Sequence, residues 1–414
     1  MGTQGLRERF LQMGRDIKAL PESQQLLLAL AVSSYVAWGL FLGLFSNGFD
    51  FAGFHQAAAR VVSGHGAAIY QEFFNLDPIK HPAMFGYTAP VALLYAPFGM
   101  MPWRWAWPLF QIFSHLCLWA AWWLAVLEAR ERGISRPAIQ MAIGIALFFP
   151  VYFSLWIGQC EAELLLLILA AVRLYRRGSW LPAGLLLSVA ICLKFFLVFL
   201  LVYFLFAKRW RMLLSSVGGL VILEAASLRW VPLDVQLAFW RQLSSWSAHI
   251  DPFYDNEAVS GFFSRLLTVN YYTLGIAHLP WLAQGLQWVT DSAIILGYAL
   301  FLRRRLSSGD FEWAFSFTLV TALLISPLTD THHLALLLIP FLCFAFSPQA
   351  RPAWRWFFAF FAVFVPFVGF KFDDLNRLVY FATGFHALVF SLPFLVLMAL
   401  WIYMARQGAA DETF

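Results

Sequence analysis

Long apolar runs separated by short basic clusters set the pattern of this chain. Leu26–Ser46, Trp105–Leu127 and Ile276–Leu302 are each long enough to cross a hydrocarbon core of about 30 Å at about 1.5 Å per residue. Basic clusters favour the cytoplasmic side of a membrane, so walking from one to the next fixes whether an odd or even number of crossings lies between. Arg130, Arg132 and Arg136 precede the run Ala138–Val172, and Arg173, Arg176 and Arg177 follow it. That run therefore divides into two spans, with Gly158-Gln159-Cys160-Glu161 at the outer turn. Leu181–Ala207 lies between Arg176-Arg177 and Lys208-Arg209-Trp210-Arg211. The same parity splits it near Lys194, which becomes the tip of an outward hairpin. Each half is about a dozen residues against the usual ~17–25, so thinned bilayer or burial behind neighbouring helices has to accommodate them.

The remaining runs continue the alternation. Met212–Leu228 crosses out and Ile276–Leu302 crosses in to Arg303-Arg304-Arg305. Phe311–Ile325 crosses out to a polar stretch from Ser326 to His333, and Leu334–Phe346 returns. Trp356–Phe370 reaches Lys371-Phe372-Asp373-Asp374, and Leu378–Met404 comes back. The expected fold is all-α, a polytopic membrane helical bundle with about twelve crossings and both termini inside. Residues 1–25 read as a cytoplasmic amphipathic segment on the membrane surface. Residues 26–404 read as one transmembrane domain with external loops 47–104 and 229–275, and 405–414 as a cytoplasmic tail. Within the first loop, Tyr87–Met101 is apolar but short and holds Pro90 and Pro97, as expected of a horizontal or re-entrant juxtamembrane helix at the outer face.

Composition agrees with this picture. The chain is 61% hydrophobic and 12% charged, with a mean hydropathy of +0.70; a soluble domain carries about 25% charged residues. The net charge of +5 follows from the positive-inside bias. No basic, aromatic-interleaved stripe lies in a water-soluble segment, which argues against a nucleic-acid partner. Cys117, Cys160, Cys192 and Cys343 sit in or beside apolar runs without CxxC spacing, so they read as small packing residues rather than a disulfide framework or zinc site.

Most remaining polar groups fall on the outer side. Asp50 directly follows the first run and is either a helix-ending, water-facing acid or a base for an attacking hydroxyl. Lys194 stands alone among apolar neighbours, where it either snorkels to headgroups or binds an anion such as lipid phosphate. Gln159 and Glu161 lie at a turn that is either simply polar or able to bind sugar hydroxyls; Glu163 beside them reads as solvated. Asp330, His332 and His333 group with Ser326 and Thr329. Neighbouring histidines point to different faces of a helix and the HExxH spacing is absent, so the pair is either simply interfacial or hydrogen-bonds to phosphate or sugar, in preference to a metal. Arg265 is either a phosphate partner or a solvated loop charge. The chain lacks the P-loop, GxGxxG and GxSxG patterns in a meaningful context, and no soluble α/β domain is evident to hold a nucleotide sugar. A donor available within the membrane is therefore expected. A transporter or flippase of lipid-linked saccharides is the alternative, but it would place its charges near the bilayer midplane, often with inverted repeats, and no repeat is visible.

The order of motifs resembles glycosyltransferase family 87, membrane mannosyltransferases of GT-C type, over roughly residues 30–345. Asp50, followed by Ala57-Ala58-Ala59-Arg60-Val61-Val62-Ser63-Gly64 and Ile69-Tyr70, is similar to the family's first external loop. Phe85-Gly86-Tyr87-Thr88-Ala89-Pro90 resembles its aromatic-Tyr-Pro-Pro element, and Gly158-Gln159-Cys160-Glu161 its Gly-Gln-x-Asn turn. Ala183-Gly184 with Lys194 is similar to its Ala-Gly…Lys segment, and Ser326-Pro327 through His332-His333 to its Ser-Pro…His-His element. Three positions depart: Ala89 replaces a proline, Glu161 an asparagine, and Asp330 an aromatic residue.

The resemblance implies a GT-C fold in the bacterial cytoplasmic (inner) membrane with the site on the periplasmic face. It also implies a polyprenyl-phosphate sugar donor and a glycolipid or glycan acceptor. The sugar would be mannose or another hexose or pentose, transferred with inversion. Asp50 would be the general base, Lys194 would stabilise the leaving phosphate with help from His332, His333 and Arg265, and Tyr87, Gln159, Glu161 and Asp330 would bind sugar or acceptor. No metal or cofactor is expected.

Overall fold

The computed structural model describes residues 22–46, 48–71, 85–132, 144–247, 255–269, 275–305, 311–346 and 384–410, with a few single positions between them. The expected N-terminal amphipathic segment and the Lys371–Asp374 turn fall largely outside these residues. Among the described residues the secondary structure is helical, with one isolated bridge pairing Asn256 and Asp330.

The first helices are α1 (Glu22–Phe45) and α2 (Phe49–Val62), and the described part of the first loop also holds the short α3 (Ala89–Leu94) and α4 (Ala96–Gly99). Pro90 and Pro97 sit in the first turns of α3 and α4, where a missing N–H costs nothing. Then come α5 (Trp103–Glu131), α6 (Phe149–Ile157), α7 (Glu161–Arg176) and α8 (Trp180–Leu193). Helix α8 ends at Lys194, whose backbone is extended, and the chain resumes as a 3₁₀ turn (Phe195–Phe199) and α9 (Leu200–Phe206). The remainder is α10 (Trp210–Ser227), α11 (Leu233–Ser247), α12 (Val259–Leu267), α13 (Pro280–Arg305), α14 (Phe311–Ile325), a 3₁₀ helix (Thr331–Leu337), α15 (Leu338–Phe346), α16 (Gly384–Phe390) and α17 (Leu392–Ala410).

By length and composition α5 and α13 are each able to cross a membrane, and α6 with α7 forms a third apolar unit bent by 120° at its break. Among the described residues, six further apolar helical stretches run for 10–17 residues each, one of them within the 24-residue α1. The chain thus has the character of a helical membrane protein. The two breaks expected from charge parity, at Gly158–Cys160 and at Lys194, are both present.

Helices α5, α7 and α14 give the bundle its polarity. Their basic and acidic ends meet in one network: Arg132 pairs with Glu128 and Glu312 at 3.2 and 2.8 Å, Arg173 with Glu128 at 2.9 Å, Arg176 with Glu312 at 3.1 Å and Arg177 with Glu131 at 2.7 Å. Helix α7 has 16 residues and is therefore about 24 Å long. Its far end is Glu161, so the ionic network and the polar Gln159–Glu161 turn lie at opposite ends of the same helix. Likewise α14 runs from Glu312 in the network to Ile325, just before the Ser326–His333 stretch.

Two glycines shape the opposite end. Gly48 (φ +57°) precedes α2 and Gly158 (φ +78°) ends α6. A Cβ on Gly48 would lie 2.7 Å from the Trp107 ring, and one on Gly158 would lie 2.6 Å from Phe51 and 2.7 Å from the same ring. Both positions thus combine a left-handed backbone with a space already filled, which excludes a side chain. These turns bring Asp50 and Gln159 to neighbouring places across Trp107. Gly158→Ala is expected to destabilise the protein by about 2 kcal/mol or more and to separate Gln159 from Asp50. Thermal unfolding in detergent checks the first effect, and loss of the Asp50–Gln159 contact in a structure of the variant checks the second.

Candidate active site

The site is a chain of hydrogen bonds joining four elements. Asp50 is half-buried in the first turn of α2. Its Oδ2 accepts from Gln159 Nε2 at 2.9 Å. Gln159, in the turn between α6 and α7, accepts at Oε1 from the Tyr87 hydroxyl at 3.0 Å. That hydroxyl in turn accepts from Lys194 Nζ at 3.2 Å. A carboxylate and an ammonium, 144 positions apart in sequence, are thereby linked through one amide and one phenol.

Local structure places each member. Tyr87 lies in the non-helical stretch before α3, its carbonyl accepting from the Tyr70 hydroxyl at 2.9 Å and its ring packed on Phe54. Thr88 Oγ1 donates to the Cys192 carbonyl at 3.3 Å, which ties this stretch to the end of α8. Lys194 is 7% exposed and its ammonium also stands 5.1 Å from the Tyr87 ring centroid. Snorkelling to headgroups does not describe it. Burial raises the Asp50 carboxyl from its ordinary range to about 6; the Gln159 hydrogen bond and the Lys194 charge oppose that rise.

Beyond Lys194 lies a buried charged group. Lys194 Nζ is 3.6 Å from Glu161 Oε1 and 3.5 Å from His332 Nε2, and His332 Nε2 is 3.7 Å from Glu161 Oε1. Ser154 Oγ donates to Glu161 Oε2 at 2.7 Å. His332 and His333 belong to the 3₁₀ helix Thr331–Leu337, and their ring centroids are 4.3 Å apart. The expectation that neighbouring histidines face apart fails here because both rings turn into the same polar space. Asp330 caps this helix: its side chain accepts from the His333 N–H, and its own N–H donates to His333 Nδ1 at 2.8 Å.

Glu161, His332 and His333 each bring a ligand-type atom within 4.8 Å of the others, so a metal has to be weighed. Nδ1 of His333 accepts a backbone N–H, which assigns the proton to Nε2 and leaves neither nitrogen a lone pair for an ion. The Lys194 ammonium also occupies the vicinity of the other two ligands. As arranged, the three groups do not form a ready cation site.

Arg265 is fully buried on α12 and is not a solvated charge. Its guanidinium donates to the Asn256 carbonyl and to Ser391 Oγ at 3.1 and 3.2 Å, and lies 3.6 Å from Glu257. It thus braces the 255–258 loop rather than joining Lys194. That loop pairs with the stretch before the histidines. Glu257 N–H donates to the Thr329 carbonyl at 2.6 Å, Asn256 Oδ1 accepts from Thr329 N–H at 3.1 Å, and Thr331 Oγ1 donates to Asp255. Sequence reasoning missed Asn256, Thr331 and Ser154; the polar triplet Asp255-Asn256-Glu257 was the available signal for the first. Glu163, expected to be solvated, is 5% exposed and accepts from Ser114 Oγ at 2.7 Å.

The model of glycosyltransferase family 87 matches residues 85–328, more than half of the chain. The match takes in Tyr87, Gln159, Glu161, Lys194 and Arg265; Asp50 precedes it, and Asp330, His332 and His333 follow it. No curated protein matches the chain. A helical membrane architecture, a buried polar site at one end of its helices and this family match lead to one identity: the chain belongs to glycosyltransferase family 87 and is a glycosyltransferase.

Proposed function

We propose that the protein transfers a sugar, mannose or another hexose or pentose, from a polyprenyl-phosphate donor to a hydroxyl of a glycolipid or glycan acceptor. One observation carries this reading: the continuous line Asp50–Gln159–Tyr87–Lys194. A carboxylate at one end, read as the base, and an ammonium at the other, read as the phosphate-binding cation, support it.

In this reading the acceptor hydroxyl gives its proton to Asp50 as its oxygen attacks the anomeric carbon. The new C–O bond forms on the face opposite the breaking bond to phosphate oxygen. The bonding electron pair leaves with the lipid phosphate, and the sugar inverts at that carbon. Lys194 meets the charge developing on the phosphate, with His332 and His333 beside it. A preorganised donor in a water-poor site stabilises such charge more than water can. Tyr87 and Gln159 bridge the two ends and offer hydroxyl and amide groups to the sugar. Arg265 and Asp330 act at one remove, bracing the 255–258 loop and capping the 3₁₀ helix that carries the histidines.

The chain then crosses a bacterial inner membrane about twelve times, with both termini cytoplasmic and the site periplasmic. Placement of the polar groups at helix ends, away from the ionic network at the other ends, supports this orientation. It also disfavours a carrier, whose charged groups belong near the bilayer midplane.

Asp50→Asn is expected to lower kcat by about 10²–10⁴-fold while donor binding persists; turnover at the wild-type rate removes Asp50 from the mechanism. Because the base must be ionised and its carboxyl titrates at about 6, kcat/KM is expected to fall as pH drops through that value and to level off above it. A pH profile flat from 5 to 8 contradicts this assignment. Lys194→Ala is expected to reduce kcat/KM for the lipid donor by about 10²–10³-fold, measured by initial rates against donor concentration; unchanged donor dependence places its amine outside the reaction.

A further inference from the structure

Glu161 poses a problem for a phosphate-binding site: it puts a carboxylate beside the cation meant for phosphate. It is the first residue of α7 and 1% exposed. Ser154 fixes its Oε2, whereas Oε1 accepts no hydrogen bond. That atom instead faces Lys194 Nζ at 3.6 Å and His332 Nε2 at 3.7 Å, both beyond hydrogen-bond length. The ammonium is neutralised electrostatically before substrate arrives, yet the pair is not closed.

We infer that Glu161 competes with phosphate for Lys194 and thereby speeds release of the lipid-phosphate product. This inference rests on the proposed role of Lys194 as the phosphate-binding cation. The donor is a phosphodiester with a single negative charge. Cleavage of its bond to the sugar leaves a phosphate monoester, with a charge of about −1.5 to −2 near neutral pH. A lone ammonium would hold that product more tightly than the substrate and slow turnover. Coulomb repulsion grows with the charge on the ligand, so a fixed carboxylate weighs more heavily on the product than on the donor. Glu161 acts through Lys194 and is a positioning residue; Lys194 exchanges Glu161 for phosphate on binding and returns to it on release.

Glu161→Gln retains the size of the side chain and an acceptor for Ser154, and removes the charge. The probes are farnesyl phosphate, a short polyprenyl phosphate monoester, and its methyl diester. Binding is measured on purified full-length protein by tryptophan fluorescence, with thermal unfolding to establish that each variant is folded. The monoester is expected to bind Glu161→Gln roughly tenfold or more tighter than wild type, the diester to gain less, and product inhibition to strengthen in parallel. Glu161→Asn serves as the second charge-removing variant and is expected to behave alike. Unchanged or weaker monoester binding by folded variants overturns the inference: a structural role predicts weaker binding of both probes, and a sugar-binding role predicts no change in either. If wild type binds neither probe, or Lys194→Ala binds both as well as wild type does, the phosphate role of Lys194 fails and the inference with it.

Discussion

The Tyr87 hydroxyl is the joint on which this site depends. It accepts from Lys194 and donates to Gln159, which in turn holds Asp50. A buried ammonium or carboxylate is costly without partners, and here each is stabilised by the group that relays it to the other. Removal of the phenol oxygen would leave two buried polar groups short of a partner. The positions of the Asp50 carboxylate and the Lys194 ammonium are thus one quantity rather than two.

The bundle serves that joint by keeping its two ends chemically distinct. Guanidinium and carboxylate groups on α5, α7 and α14 fasten the helices at one end. At the other end, the helices break where the polar residues are needed. Gly48 and Gly158 turn the chain against the Trp107 ring, and Lys194 interrupts α8 with an extended residue. Loop 255–258, braced by Arg265, bonds to the Thr329–Thr331 stretch and so holds the Asp330-capped turn that carries the histidines.

Much of this was legible in the chain because charge has to obey the membrane. The parity of basic clusters located the break at Lys194 and the turn at Gln159–Glu161, both of which interrupt otherwise uniform apolar runs. What stayed hidden depended on contacts between distant segments. Nothing local to Arg265 indicates that Ser391 and Glu257 enclose it. The 3₁₀ winding of Thr331–Leu337, which swings His332 and His333 toward one space, is indistinguishable in sequence from the start of an apolar α-helix. Glu163 looked solvated because its partner, Ser114, lies on another helix. Asn256 carries no charge signal, because its side chain bonds to the backbone of Ala258, Thr329 and Pro327.

In the proposed reaction the donor is a lipid-linked sugar whose phosphate leaves at Lys194. Purified protein supplied with polyprenyl-phosphate sugars and a glycolipid acceptor tests it most directly. One polyprenyl phosphate is expected to be released for each sugar transferred, with no turnover of nucleotide sugars. Transfer from a nucleotide sugar, with the lipid-linked donors inert, would contradict it.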